Sequence, residues 1–86
     1  MDFRITGHAE REIVRRGIPR EFLEQNLAQP QQIVEAYAGR KTYQSRFDFG
    51  GGRTYLLRAI VSEEEGSLVV VTAYRTSKIS KYWRTS

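Results

Sequence analysis

The apolar positions in the first third of the chain recur every three or four residues, the period of a helix with one buried face. In residues 7–16 the apolar face consists of Ala9, Ile13 and Val14. Gly17 then supplies a stop. Residues 19–28 repeat the pattern with a stripe made of Phe22, Leu23 and Leu27. The pattern therefore predicts two consecutive helices near the amino terminus.

From residue 32 onward the period changes to two, which is the period of a strand. Turn residues separate four such runs, at 33–37, 41–49, 54–62 and 67–75. Three glycines at 50–52 lie between the second and third runs and predict a hairpin turn. Short turns make successive strands antiparallel neighbours. The last strand is apolar on both faces over its first half, which predicts an interior position in the sheet.

Two helices followed by four strands predict one α+β domain that spans residues 1–86. We expect the two helices to pack on one face of a four-stranded, mainly antiparallel sheet. A short C-terminal helical tail should follow, with one apolar face made of Ile79, Tyr82 and Trp83. The other face of the sheet is expected to stay open, and Arg58, Thr72 and Tyr74 are expected to converge there.

The composition narrows the class of protein. There is no cysteine and only one histidine, which excludes disulfides and thiolate metal sites and argues against a histidine-rich metal site. The longest apolar run has four residues, far fewer than the roughly 20 that span a bilayer. The amino terminus has no apolar segment of the signal-peptide type. We therefore expect a cytoplasmic protein that needs no cofactor, metal or membrane.

The net charge of +4 is concentrated at the C-terminal end. Residues 1–40 have six basic and six acidic side chains, and residues 41–73 have four of each. The remaining basic residues, which have no acidic neighbour in their stretch, are Arg75, Lys78, Lys81 and Arg84. Such a block attracts phosphate backbones or an acidic protein. The alternative is a tail that only improves solubility.

The side chains left for chemistry are one histidine and a set of arginines, tyrosines and lysines. Arginines can hold a phosphodiester and stabilise charge on phosphorus, while histidine, tyrosine or lysine can move protons. The candidate catalytic residues are His8, Arg11, Arg58 and Tyr74. Aromatic rings between basic residues can stack on unpaired RNA bases. The candidate RNA-binding residues are Arg75, Lys78, Lys81, Tyr82 and Arg84.

Each candidate in the first helix also has a structural interpretation. His8 can exchange protons near neutral pH, or it can bond to the backbone at the start of the helix. Arg11 and Arg16 can bind phosphate, or they can form local ion pairs. The acidic side chains near enough in sequence for such pairs are Glu10, Glu12 and Glu21.

The candidates in the strands and the tail have alternatives as well. Arg58 is a charge in an apolar strand, which is rare unless the charge is paired or functional. An ion pair with Asp48 across the glycine turn would make it structural. Thr72 and Tyr74 can line a concave site or cap the core. Trp83 can stack on RNA or anchor the tail to the sheet.

Three motifs resemble a small bacterial domain family of unknown function. They are His8-Ala9-x-Arg11 with Arg16-Gly17-Ile18, then Leu57-Arg58-Ala59-Ile60-Val61, and last Val70-Val71-Thr72-Ala73-Tyr74-Arg75-Thr76. That family is similar to the RelE/ParE-like toxins and the BrnT-type ribonuclease toxins. The resemblance implies a RelE-like fold and an RNA-cleaving toxin. Relatives of the same fold act on DNA gyrase instead.

The leading hypothesis is therefore a metal-independent ribonuclease of a toxin–antitoxin system, with RNA, free or on the ribosome, and a cognate antitoxin protein as partners. His8 or Tyr74 accepts the proton of the RNA 2′-hydroxyl, and the two catalytic arginines stabilise the phosphorane-like transition state. Lys78 or Tyr82 protonates the 5′ oxygen or holds the backbone. The alternative is a non-catalytic binding module of the same fold, either directed at gyrase or an inactive relative that recognises a protein.

Overall fold

The computed structural model describes residues 2–85, which form a five-stranded mixed sheet and three helices. The strands are β1 (Phe3–Ile5), β2 (Gln32–Glu35), β3 (Lys41–Asp48), β4 (Thr54–Glu64) and β5 (Ser67–Thr76). The helices are α1 (Gly7–Arg15), α2 (Arg20–Ala28) and α3 (Ile79–Tyr82). The strand order is β1-β5-β4-β3-β2, which confirms the α+β class. Within residues 2–85, no helix is long and apolar enough to span a bilayer.

The prediction of four strands was wrong by one. β1 pairs in parallel with the start of β5, with Phe3 opposite Leu68 and Ile5 opposite Val70. A strand of three residues is too short to show a period of two, and its partner lies more than 60 residues away in sequence. The added strand gives β5 a neighbour on each side, which confirms the predicted interior position of β5.

Several predicted boundaries were also wrong. Pro19 is not the first helical residue but the extended residue before α2, with φ −61° and ψ 138°. β2 ends before Tyr37, because a 3-10 turn at Tyr37–Gly39 returns the chain to β3. The hairpin between β4 and β5 is tighter than predicted, since Glu65 and Gly66 both have positive φ and form a two-residue turn.

The core lies between the two long helices and the sheet. Its apolar members are Ala9, Ile13, Ile18, Leu23, Leu27, Tyr43, Leu57, Ala59, Val61, Leu68, Val70 and Ala73. Val14 was predicted to join the apolar face of α1 but is 79% exposed. It follows the buried Ile13 by one residue, and this step along the helix rotates its side chain away from the sheet. Phe47 and Phe49 are half-buried at the margin, where Phe22 stacks on Phe47 with ring centroids 4.6 Å apart.

Candidate functional site

Arg58 is the middle member of a row of three side chains on the face of the sheet opposite α1 and α2. Gln44 of β3 and Tyr74 of β5 are its direct cross-strand partners, and paired residues share a face. Gln44 Oε1 accepts a hydrogen bond of 2.8 Å from Arg58 Nε. The Tyr74 hydroxyl accepts another from Arg58 Nη1. Two residues that the sequence singled out separately are therefore in direct contact.

A β-bulge in β5 makes Tyr74 the partner of Arg58. Pairing counted without interruption from the β4–β5 turn would place Ala73 opposite Arg58, but the register shifts by one residue between Ile60 and Val61. A shift of one residue moves side chains to the other face of a strand. The bulge therefore turns Tyr74 toward Arg58 and leaves Ala73 in the core.

The C-terminal tail covers part of the face that we expected to be open. The side-chain amide of Gln32 bonds to both backbone groups of Arg84, at 3.0 and 2.6 Å. Gln44 Nε2 donates to the Tyr82 carbonyl at 3.1 Å, and the Arg46 guanidinium lies 4.3 Å from the centre of the Trp83 ring. The expectation of an open face was wrong, because these contacts hold the tail against the sheet.

The sequence also predicts that the tail divides into an anchor on the sheet and an exposed basic surface, and this is confirmed except at Arg75, which lies in β5 and is half-buried. The half-buried residues, which form the anchor, are Ile79, Tyr82 and Trp83. The exposed basic residues are Lys78, Lys81 and Arg84. Both groups follow directly from the spacing of apolar residues in a short helical turn.

The Arg58 guanidinium lies between two tyrosine rings and the Gln44 amide and has no counter-ion among residues 2–85. Its Cζ lies 4.2 Å from the centre of the Tyr82 ring and 5.7 Å from that of Tyr74. Among residues 2–85 no carboxylate lies within ion-pair distance of it. Asp48 instead accepts a hydrogen bond from the Gly50 backbone at 2.7 Å. The structural interpretation of Arg58, which predicted an ion pair with Asp48, was therefore wrong.

We call Gln44, Arg58, Tyr74 and Tyr82 the Arg58 cluster. Burial opposes ionisation of Tyr82, but Lys81, and after it Tyr74 and Arg58, outweigh burial, so the pKa of Tyr82 lies below its ordinary value of 10.0. The Tyr74 and Tyr82 rings meet edge to face, 6.3 Å apart. A phenol with a lowered pKa beside a fixed guanidinium can donate a proton to an oxygen on a bound anion.

His8 and Arg11 are exposed on the first two turns of α1 and do not join the Arg58 cluster. Thr6 Oγ1, and not the His8 ring, caps the helix by accepting from the Ala9 backbone at 3.1 Å. Within residues 2–85 no hydrogen bond, ion pair or ring contact connects His8 or Arg11 to the cluster. The structure thus brings together two of the four candidate catalytic residues.

The local ion pair expected as one alternative for Arg16 is present. Glu12 accepts from Arg15 Nη2 at 2.7 Å and from Arg16 Nε at 3.0 Å. Arg16 also reaches the cluster, since its Cζ lies 5.9 Å from the centre of the Tyr74 ring. Arg75, a candidate for RNA binding, lies elsewhere, because it pairs with Leu57 on the helix side of the sheet.

The Glu12 ion pairs predict a pH-dependent stability. Hydrogen bonds from Arg15 and then from Arg16 lower the pKa of Glu12 from 4.5 to about 2. A depressed pKa in the folded state stabilises the protein above the unfolded pKa, and this contribution is lost as pH falls through the folded pKa. We expect Glu12→Gln to lower the melting temperature at pH 7, with the difference from wild type shrinking between pH 4.5 and 2.

The matched control is Glu24→Gln, which removes a charge from the exposed 3.8 Å pair with Arg20 and should change the melting temperature little. Thermal melts of the three proteins across this pH range test the prediction. A constant difference between wild type and Glu12→Gln down to pH 2 would contradict it.

Sequence reasoning missed Gln44, which orients Arg58, and Gln32, which holds the tail. Gln44 is fully buried although its side chain is polar. The period of two in β3 indicates that Gln44 lies on the face opposite the one that Tyr43 occupies. The register of the glycine hairpin between β3 and β4 then places Gln44 opposite Arg58, and this register was the signal that could have identified it. The contact between Gln32 and the tail has no local signal, since the two segments are 52 residues apart.

Residues 5–75 match the protein family described as a domain of unknown function, DUF4258. Because the match covers most of the chain, the chain belongs to that family. Gln44, Arg58 and Tyr74 lie within the matched segment, and Tyr82 follows it. No curated protein and no solved structure matches the chain.

Proposed function

We propose that this domain is a metal-independent ribonuclease of the RelE-like toxin type, which cleaves RNA through attack by its 2′-hydroxyl group. One observation carries the proposal: Arg58 is a half-buried cation that two hydrogen bonds hold in place without any carboxylate from residues 2–85. Such a cation attracts an anion, and a guanidinium fits the oxygens of a phosphate group. The aromatic and basic residues of the tail favour single-stranded RNA as the source of that phosphate.

The proposed reaction needs two proton transfers and one phosphoryl transfer. Tyr74, as the phenolate, accepts the proton of the 2′-hydroxyl and becomes the phenol, the 2′ oxygen attacks phosphorus, and the bond from phosphorus to the 5′ oxygen breaks. Tyr82, whose pKa is lowered, donates a proton to the departing 5′ oxygen. Arg58 stabilises the charge that develops on the phosphoryl oxygens. The products are a 2′,3′-cyclic phosphate and a 5′-hydroxyl end.

This assignment chooses between the two proton acceptors that the sequence hypothesis left open, and it leaves Arg11 out of the transition state. Tyr74 takes that role because it contacts Arg58, whereas His8 and Arg11 lie outside the cluster. We propose that the exposed basic residues of the tail first bind the RNA and are also the surface that an acidic antitoxin protein covers. Charge complementarity supports both partners, and competition between RNA and the antitoxin follows from it.

The second candidate function is a binding module without catalysis. It is favoured by the distance between the only histidine and the Arg58 cluster, since both proton transfers then depend on phenols. A binding module would bind RNA or a protein such as gyrase and leave the nucleic acid intact. Product analysis separates it from the enzyme.

The experiment that tests the proposal is incubation of the purified protein with labelled RNA in EDTA, both as free RNA and on translating ribosomes. We expect cleavage on at least one of these substrates, because no step of the proposed reaction uses a metal ion. If the RNA stayed intact both free and on ribosomes, the proposal of a ribonuclease would be wrong and the binding module would be the remaining candidate.

The tail predicts a measurable salt dependence. Each basic residue that neutralises a phosphate of single-stranded RNA adds roughly 0.7 to the slope of log affinity against log salt. Replacing Lys78, Lys81 and Arg84 together by Gln should therefore weaken RNA binding and flatten the slope by about 2. The melting temperature should change little, because all three side chains are exposed. Titrations at several salt concentrations measure the slope, and a slope equal to that of wild type would exclude the tail as the RNA surface.

A further inference from the structure

A second positively charged site lies on the helix side of the sheet, where α1 and β5 both end. It is a groove of about 570 Å³, lined by Arg15, Arg16, Gly17, Tyr55, Arg75, Thr76 and Ser77. The lining includes three arginines and no carboxylate. Tyr74 and Arg75 are neighbours in β5, so their side chains point to opposite faces of the sheet. The groove and the Arg58 cluster therefore lie on either side of the same strand end.

Arg75 is held in a geometry that suits an anion. Its Cζ lies 4.7 Å from the centre of the Phe49 ring and 4.7 Å from that of Tyr55. Contacts of this type engage the faces of a guanidinium and leave the N–H groups along its edge as donors. No carboxylate in the described part of the chain pairs with Arg75. The edge donors are thus available to two oxygens of a phosphate group.

The end of α1 brings the other two arginines to the groove. Gly17, with φ +62°, closes the helix in a left-handed conformation, and the Ile18 backbone N–H bonds to the Ile13 carbonyl at 3.0 Å. Arg15 and Arg16 share one carboxylate, that of Glu12, so the pair retains one positive charge. Together with Arg75, the groove has a net charge of about +2 at neutral pH.

Basic residues at the end of a helix also stabilise its dipole, which is the structural interpretation of Arg15 and Arg16. That interpretation does not extend to Arg75, which belongs to a strand, or to the absence of an acid among the lining residues. Arg16 also lies between the two sites, since it lines the groove and its guanidinium lies near the Tyr74 ring.

We infer that this groove binds a phosphate group of single-stranded RNA next to the phosphate held by Arg58. The inference rests on the proposed function for the identity of the ligand, but the groove itself is defined by its own residues. An RNA strand passes from the Arg58 cluster around the end of β5, and Arg75 and Arg15 hold a neighbouring phosphate. Binding there sets the direction and register of the strand before cleavage.

The test uses RNA with 2′-O-methyl groups, which the proposed reaction cannot cleave, and the single variants Arg75→Gln and Arg15→Gln. We expect each variant to weaken binding several-fold and to lower the salt slope by roughly 0.7. Arg75→Lys, which keeps the charge, should recover most of the slope but not the affinity, because an ammonium lacks the planar pair of donors that matches two phosphate oxygens. Glu12→Gln removes the counter-charge and should strengthen binding, which a purely structural role of the arginines does not predict.

The matched control is Arg4→Gln, which removes the same charge from β1. Arg4 pairs opposite Val69, six residues and about 20 Å along β5 from Arg75, and is 70% exposed. It should bind RNA as wild type does. If both Arg75→Gln and Arg15→Gln bound RNA with the affinity and salt slope of wild type, the groove would not be a phosphate site. The proposed role of the Arg58 cluster would be unaffected by that result.

A second measurement separates the groove from the proposed function. Inorganic pyrophosphate is added to ¹⁵N-labelled protein, and the Arg75 Nε–H signal is followed by NMR. We expect this signal to shift in wild type and in Arg58→Ala alike. A shift in a protein that neither binds nor cleaves RNA would support the phosphate site and contradict the ribonuclease. No shift at Arg75 would overturn the groove as a phosphate site.

Discussion

Replacing Arg58 by alanine is expected to slow RNA cleavage at least tenfold, and a loss of about 10²-fold is typical when one donor to a transition-state anion is removed. The guanidinium is the one group in the Arg58 cluster with a permanent charge. The protein should stay folded, because no carboxylate among residues 2–85 would lose a partner, although Gln44 Oε1 loses its donor and the free energy of unfolding falls accordingly. Single-turnover cleavage rates and a thermal melt of the same preparation test both parts.

Two further variants make this result specific. Arg58→Lys keeps the charge but cannot bond to Gln44 and Tyr74 in the same geometry, so it should also be slow. Arg40→Ala removes an arginine that lies 5.3 Å from the Tyr37 ring, outside the cluster, and should cleave at the wild-type rate. Equal cleavage by wild type and Arg58→Ala would exclude the cluster as the catalytic site.

Replacing Gln44 by leucine is expected to give the largest loss of stability among changes in the cluster. Gln44 is fully buried, accepts from Arg58, and donates to Gln32 at 2.8 Å and to the Tyr82 carbonyl at 3.1 Å. Leucine is similar in size but makes none of these bonds. Arg58 Nε and the Tyr82 carbonyl then lose a partner, at about 1–3 kcal/mol for each one that stays buried, whereas Gln32 Oε1 still accepts from the Arg84 backbone. We expect the free energy of unfolding to fall by about 2 kcal/mol, or roughly 10 °C in melting temperature.

Gln44→Leu should also slow cleavage at temperatures where the protein is fully folded, because Arg58 loses the acceptor that orients it. The control is Gln25→Leu, the same change at an exposed position of α2, with an expected effect within about 0.5 kcal/mol. Denaturant titrations and cleavage rates measured on the same samples separate the two effects. A Gln44→Leu variant as stable and as active as wild type would mean that Gln44 does not position Arg58.

Much of the fold could be predicted from local pattern, since α1, α2 and the strands after Gln32 each have a clear period. β1 could not, because three residues carry no period and their parallel partner is remote in sequence. The tail could be predicted as a short helix with one apolar face. That this face could anchor the tail to the sheet was also predicted. The strands that the tail covers could not be predicted, because they depend on hydrogen bonds from the amides of Gln32 and Gln44, and a polar side chain in a strand normally indicates a surface position.

The candidate site could be predicted in part for a related reason. Arg58 is conspicuous as a charge in an apolar strand, and Tyr74 as a phenol at a strand end. Their contact depends on a one-residue bulge in β5. Without the bulge, the pairing of β4 with β5 would place Ala73 opposite Arg58. His8 was the most reactive residue type in the chain, but helix geometry keeps it on an exposed turn that the sheet does not reach. The chemical role of each candidate residue could be predicted from its type. Which of these residues contact one another could not be predicted without the register of the strands.

The central claim is that the Arg58 cluster directs the RNA 2′-hydroxyl against the adjacent phosphorus. Its most direct test compares, in EDTA, an RNA cleaved at one mapped position with the same RNA bearing a single 2′-deoxy sugar immediately 5′ of that bond. We predict a 2′,3′-cyclic phosphate end from the first substrate and no cleavage of the second at that position. Cleavage of the deoxy substrate there, or a product with a 5′-phosphate end, would contradict the proposed mechanism.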